Sequence, residues 1–212
     1  VEWLAAFLDK EPEGRKEQAI NIVQSLGYKV KRPDINESGQ VWEISQTEKK
    51  TLVQPLTSIK GLGDKAVEQI LQHRPFNNVE ELLFNDDIVY SKLNKKALDV
   101  MARCGAMNCL MDERFTGMKH FWSAVAVDRP KKEKDLIGNI ELYKPEGDFS
   151  DMEKIEYLTG LTGIFPFSLV LKNDVYDSIK KNKIPALGEY DKAIGVAWFI
   201  PREVIEKKTK TG

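Results

Sequence analysis

The sequence is poor in cysteine and histidine and has no long apolar run. Cys104 and Cys109, the two cysteines in 212 residues, cannot build a disulfide framework, and a reducing compartment is the default expectation. Their spacing is not Cys-x-x-Cys and no second pair completes four zinc ligands, so structural thiols are expected. His73 and His120, the two histidines, have no partner nearby in sequence and read as ordinary rather than catalytic. No stretch approaches the roughly 18 uninterrupted apolar residues of a membrane span. The start, Val1-Glu2-Trp3-Leu4, has no basic n-region, which argues against a secretory signal. It also lacks an initiating Met and opens directly in apolar sequence, as expected of a piece cut from a longer chain. Walker A, Gly-x-Ser-x-Gly and His-Glu-x-x-His patterns are missing. The acidic stretch Glu141–Glu156 lacks calcium-loop spacing and reads as a solvated linker. Trp3, Trp42, Trp122 and Trp198 are scattered rather than striped, so core packing accounts for them before base stacking does.

What is present is ordinary globular composition, enough for roughly one to two domains. The formal net charge of −1 conceals a segregation. Tyr90 to Lys134 holds ten Lys or Arg against five Asp or Glu, a net of +5; Asp135 to Gly160 holds two against seven, a net of −5. A basic block beside an acidic one can present a positive face despite a neutral total. Charge alone is equally compatible with two solvated surfaces.

Along the chain, residues 1–27 read as two helices broken at Glu11-Pro12-Glu13-Gly14, the second carrying Ala19, Ile20, Ile22, Val23 and Leu26 near one face, with Gly27 closing it. Tyr28–Lys31 alternates like a short strand, and Val41–Ile44 and Thr51–Gln54 are expected to pair as a hairpin. Residues 55–126 read as helices with short connections: a capping box at Asn78-Val79-Glu80-Glu81, a helix over Leu93–Cys104 closed by Gly105, and an amphipathic segment over Phe115–Ala126. Asp128–Gly147 looks like a linker. Ser150-Asp151-Met152-Glu153 is a second capping box, opening a helix that ends near Gly160. Ala193–Ile200 is strand-like, and Lys207–Gly212 has the look of a hairpin turn without its second strand. The fold class is mainly α with small β elements (α+β).

The most informative segment is Ile59-Lys60-Gly61-Leu62-Gly63-Asp64-Lys65-Ala66, followed by Val67, Ile70 and Leu71 at helical spacing. Glycine at 61 and 63 lets the chain turn sharply and lets a bulky group approach the main chain. The following helix start offers unpaired N–H groups and a positive dipole end, and Lys60 and Lys65 flank it. A nucleic-acid phosphate, bound without reading any base, is the natural ligand. A Gly-rich turn between two packed helices is the bland reading of the same residues.

This segment resembles the hairpin of a helix-hairpin-helix, the module that grips duplex backbone through paired amides. Its surroundings extend the likeness. Val1–Leu8, Leu26–Val30 and Pro33–Ser38 are similar to the end of the fingers domain of bacterial replicative DNA polymerase III alpha subunits (family C), which in that family precedes a tandem helix-hairpin-helix. A second hairpin follows at Lys92-Leu93-Asn94-Lys95-Lys96-Ala97-Leu98, running on to Arg103-Cys104-Gly105-Ala106. Glu156–Gly160 resembles the next family landmark, and Ala193–Gly212 looks like opening strands of an OB-fold. A phage-encoded or divergent bacterial version is consistent with these residues.

The resemblance implies four segments: the end of the fingers over 1–54, a tandem helix-hairpin-helix over 55–127, a linker and connecting helix over 128–165, and the start of an OB-like unit over 166–212. It implies sequence-independent binding of template-primer duplex through Lys60, Gly61, Leu62, Gly63, Lys65, Ala66, Lys92, Asn94, Lys95 and Lys96, in a cytoplasmic protein at the replication fork. No cofactor is expected in this chain, because the family's magnesium belongs to palm carboxylates upstream of Val1. Catalytic residues are therefore not expected here, although the chain resembles part of a DNA-directed DNA polymerase. The remainder of the polymerase is the implied protein partner, and no membrane is implied. No Gln occurs after Gln72, which leaves sliding-clamp binding through this segment in doubt. Two other readings compete: the helix-hairpin-helix scaffold of a DNA repair protein, and a nuclease, which would need clustered carboxylates facing the DNA.

Overall fold

A computed structural model describes residues 1–171, 173–185, 187 and 195–199. Two compact units are present, Val1–Pro166 and Phe167–Gly212. The first begins with helices α1 (Glu2–Lys10) and α2 (Lys16–Ser25). Gly27, at φ +84°, closes α2 in the left-handed region where glycine is unstrained. Of the face assigned to α2 from sequence, Ala19, Ile20 and Val23 are buried, while Ile22 and Leu26 are about half exposed at 51% and 55%. Five apolar positions in eight residues wrap too far round a helix for one contact to cover them.

Strands β1 (Lys29–Lys31), β2 (Glu43–Ile44) and β3 (Thr51–Val53) form a sheet ordered β1-β3-β2. β2 and β3 pair antiparallel, as the sequence predicts, and β1 adds in parallel on the other side, Val30 opposite Leu52. Leu4, Leu8, Ile20, Val23, Trp42, Leu52 and Ile164 make one core beneath α1, α2 and the sheet. Trp3, by contrast, is 65% exposed and packs in no core.

The larger core joins helices α3 (Asp64–His73), α4 (Val79–Phe84), α5 (Lys95–Arg103), α6 (Met118–Trp122) and α7 (Glu133–Leu142) through Ile59, Leu62, Val67, Ile70, Leu82, Leu93, Leu98, Met101, Phe121 and Leu136. Asn78 caps α4 by accepting from the Glu81 N–H (2.9 Å), but the Glu81 carboxylate reaches back to Asn77 rather than to the cap residue. The box is therefore open by one residue. The Phe115–Ala126 segment divides into α6 and a wider π-type turn, Ser123–Val127. Half of Asp128–Gly147 is not linker: α7 occupies Glu133–Leu142 and buries Leu136, Asn139 and Ile140. α8 (Asp151–Thr162) opens on the full reciprocal capping box of Ser150 and Glu153. It runs past Gly160 to end at Gly163, φ +72°.

In the second unit, α9 (Phe167–Val170) and α10 (Asn173–Lys181) precede a short extended pairing. There Leu187 N–H donates to the Trp198 carbonyl and Trp198 N–H to that of Pro185. The strand expected over Ala193–Ile200 is described only at 195–199, and Lys207–Gly212 lies outside the described residues.

Candidate nucleic-acid interface

The first hairpin is built by burial on one side and exposure on the other. Leu56, Ile59 and Leu62 are sunk into the core, and Lys60, Gly61, Gly63, Asp64 and Lys65 are exposed. Ile59 N–H donates to Leu56, Leu62 N–H to Ile59, and Ala66 and Val67 N–H to Gly63. Lys60 N–H turns inward to the Leu161 carbonyl at 2.8 Å. That leaves the amides of Gly61, Gly63, Asp64 and Lys65 with no acceptor among the described residues. They lie at the start of a ten-residue helix, where the dipole adds positive potential. Gly61 has φ +89°, which glycine supplies without strain. Gly63 is different: φ −81°, ψ 151°, with nothing within 4 Å of where a Cβ would stand. Its missing side chain matters only to something approaching from outside. Ala66 is buried and fixes the helix against the core.

The second hairpin repeats the pattern with different chemistry. Leu93 is buried, Asn94 is the cap of α5, and its side chain accepts from the Ala97 N–H at 3.0 Å. Gly63 and Asn94 share an extended conformation (φ −81° and −80°) before their helices. Lys92 is half-buried and stands where the first hairpin has Gly61, but without a left-handed backbone. Asn94, Lys95 and Lys96 are exposed, and their backbone N–H groups have no acceptor among the described residues.

The two hairpins meet. A Cβ at Gly61 would lie 3.4 Å from Cε and 4.0 Å from Nζ of Lys96. The ammonium of the second hairpin thus hangs over the loop of the first. Gln69, buried in α3, accepts from the Val89 N–H at 2.9 Å and ties the first hairpin's helix to the second hairpin's loop. Of the residues proposed from sequence, Lys60, Gly61, Gly63, Lys65, Lys95 and Lys96 are exposed around this junction, while Leu62 and Ala66 support it from below. Asp64 is the one carboxylate in the first turn of α3.

Gln69, Tyr90, Arg129 and Asn139 were not singled out from sequence. Gln69 sits on an apolar helix face, a recognisable signal for a buried amide with a dedicated partner. Arg129 lies in a charged stretch with no local pattern to mark it.

His120 is structural. It is 1% exposed, bonded to the Ile140 carbonyl through Nε2 (2.7 Å) and accepting from the Thr116 N–H at Nδ1 (3.1 Å). Burial pushes the Cys104 thiol up to about 12, and burial with the Asp34 carboxylate does the same to Cys109; both are free and unsuited to nucleophilic chemistry. Among the described residues no three His, Cys, Asp or Glu side chains come together as a metal site. No described helix is long and apolar enough to cross a membrane.

Residues 27–117 match the family model described as "Helix-hairpin-helix motif". That likeness is to the motif and covers less than half of the chain. Over most of its length the chain also has bacterial DNA polymerase III alpha subunits as homologues. It is 27% identical to that of Chlamydia muridarum over 86% of this chain and 13% of the relative. It is 27% identical to that of Xylella fastidiosa over 66% and 12%, and 26% identical to that of Campylobacter jejuni over 77% and 15%. The chain thus spans only about an eighth of the length of these relatives.

Proposed function

We propose that this chain binds duplex DNA through its backbone phosphates, without regard to sequence, and that it does so as the part of a replicative DNA polymerase that holds template-primer. The observation that carries the reading is the junction of the hairpins. Four amides without an acceptor among the described residues at Gly61, Gly63, Asp64 and Lys65, and three at Asn94, Lys95 and Lys96, stand beside four lysines, with Lys96 bridging the two loops. Amides and ammonium groups complement phosphate oxygens and carry no base code. Two grips held rigidly act as a pair, each raising the effective concentration of the other.

Likeness to the polymerase subunits extends beyond the motif over 86% of the chain, which favours the polymerase over a repair scaffold. The test is a fluorescence-anisotropy titration of the full chain against labelled primer-template and random duplexes of equal length. Binding that falls steeply with salt and is equal across sequences is expected. Strong preference among the duplexes, or a flat salt response, refutes the reading. A magnesium-dependent cleavage assay on the same duplexes checks the nuclease reading, and no cleavage is expected.

A further inference from the structure

We propose that Arg129 is the positioning residue of the second hairpin, doing by side-chain contacts what Gly61 does for the first by backbone freedom. The inference rests on the duplex-binding reading above. Arg129 is 7% exposed. Its Nη1 donates to two main-chain carbonyls, those of Tyr90 (3.2 Å) and Leu93, and its guanidinium lies 3.9 Å from the centre of the Tyr90 ring. No carboxylate pairs with it among the described residues, and its Nε has no acceptor. An arginine buried without a counter-ion is costly unless its bonds do something specific.

What those bonds do follows from the planar trans peptide. In such a unit the C=O and the next N–H point in opposite directions. Drawing the Leu93 carbonyl inward to Arg129 therefore aims the Asn94 N–H outward, and drawing in the Tyr90 carbonyl does the same for Ser91. Neither amide has an acceptor among the described residues. Asn94 is the cap of α5 and the counterpart of Gly63, so this is the amide a phosphate would meet first. Lys92 lacks the left-handed backbone that shapes the first loop, so the second loop needs an external brace.

Arg129 is itself braced. Asn139 of α7, 8% exposed, donates through Nδ2 to the carbonyls of Ala124 (2.9 Å) and Asp128 (2.6 Å), fixing the turn that delivers Arg129. Gln69 holds the other end of the loop at Val89. The route runs from α7 through Asn139 and Arg129 to the peptide between Leu93 and Asn94, and none of its members needs to touch DNA.

The test uses the full chain with Arg129→Lys, Arg129→Met and Asn139→Ala, read in two ways. Amide hydrogen exchange without DNA should quicken at Val89, Lys92, Leu93 and Ala97 in both Arg129 variants, and less in Asn139→Ala, while α1 and α2 keep the parent's protection. Duplex titrations should show about a fivefold or greater loss for Arg129→Lys as well as Arg129→Met, with a shallower salt slope as phosphate contacts at the second hairpin are lost. A lysine keeps the charge but not the fork, so full rescue by Arg129→Lys would reduce the role to charge and overturn the proposal. Unchanged exchange in the Val89–Ala97 loop would overturn it as well. If Arg129→Met fails to fold, Arg129→Lys and Asn139→Ala carry the same comparison. Should the parent itself show no salt-dependent duplex binding, the DNA reading falls, and the exchange data alone decide whether Arg129 shapes the loop.

Discussion

Lys96 lies directly over Gly61: a single Cβ on the glycine would stand 3.4 Å from the lysine's Cε. One substitution at Gly61 therefore acts on both hairpins. At φ +89° an L side chain costs roughly 1–2 kcal/mol, and it also displaces the ammonium. We expect Gly61→Val to lower both thermal stability and duplex affinity. Gly63→Val, with ordinary backbone and open space around it, should lower the melting temperature less than Gly61→Val does, by the loss of a tolerated helix cap alone, and should still reduce duplex binding. Duplex affinity of Gly63→Val equal to the parent's would show that nothing approaches Gly63 from outside.

Salt should report the number of phosphates held. With Lys60, Lys65, Lys95 and Lys96 each neutralising one, the log–log dependence of the binding constant on salt should have a slope of roughly −3 to −4. Replacing Lys95 and Lys96 by Glu should weaken binding at least tenfold, about 1.4 kcal/mol, and flatten that slope. Combining this change with Gly61→Val should give less than the sum of the two effects, because one grip alone is weak. Additivity in an anisotropy titration would mean independent hairpins.

Asn94 caps α5 and also faces the proposed phosphate. Asn94→Ala should cost about 1 kcal/mol of stability, measured by urea denaturation, together with a loss of duplex affinity. Ser150→Ala, which breaks the capping box of α8, should cost a similar amount and leave the affinity at the parent's level.

The acid limb of the stability curve should have an identifiable source in Asp148. Its burial opposes ionisation, but the Lys154 ammonium at 2.9 Å and the Lys119 and Phe149 N–H groups outweigh it and hold the carboxyl below its usual range. A depressed pKa contributes stability that is present above the unfolded-state value near 4 and is lost as pH falls through the folded value. Asp148→Asn should therefore lower stability at neutral pH and narrow its gap to the parent below about pH 4. A constant gap from pH 7 to pH 3 would refute the assignment.

Patterns that act within one turn or one helix were legible in the sequence. The first hairpin, the β2–β3 pair, the Ser150 capping box and the α5 helix that ends ahead of Gly105 all declare themselves through spacing. What escaped depends on partners distant in the chain. α7 looks like linker because its buried face is only Leu136, Asn139 and Ile140, too narrow for a periodicity signal among charged neighbours. Trp3, whose residue type predicts a place in the core, stands outside it. Arg129 binds carbonyls more than thirty residues earlier, and no local rule points from a charged side chain to a main-chain oxygen.

The bond from Lys60 N–H to the Leu161 carbonyl bears on how the motif can be excised. Residues 27–117 are the span that matches the helix-hairpin-helix motif, yet the acceptor for Lys60 lies at 161 and the brace of the second loop at 129. A recombinant piece trimmed to that span would keep every residue proposed to face phosphate and lose the groups that orient them. Grafting the gripping surface onto another scaffold thus requires carrying α7 and the end of α8 along with it.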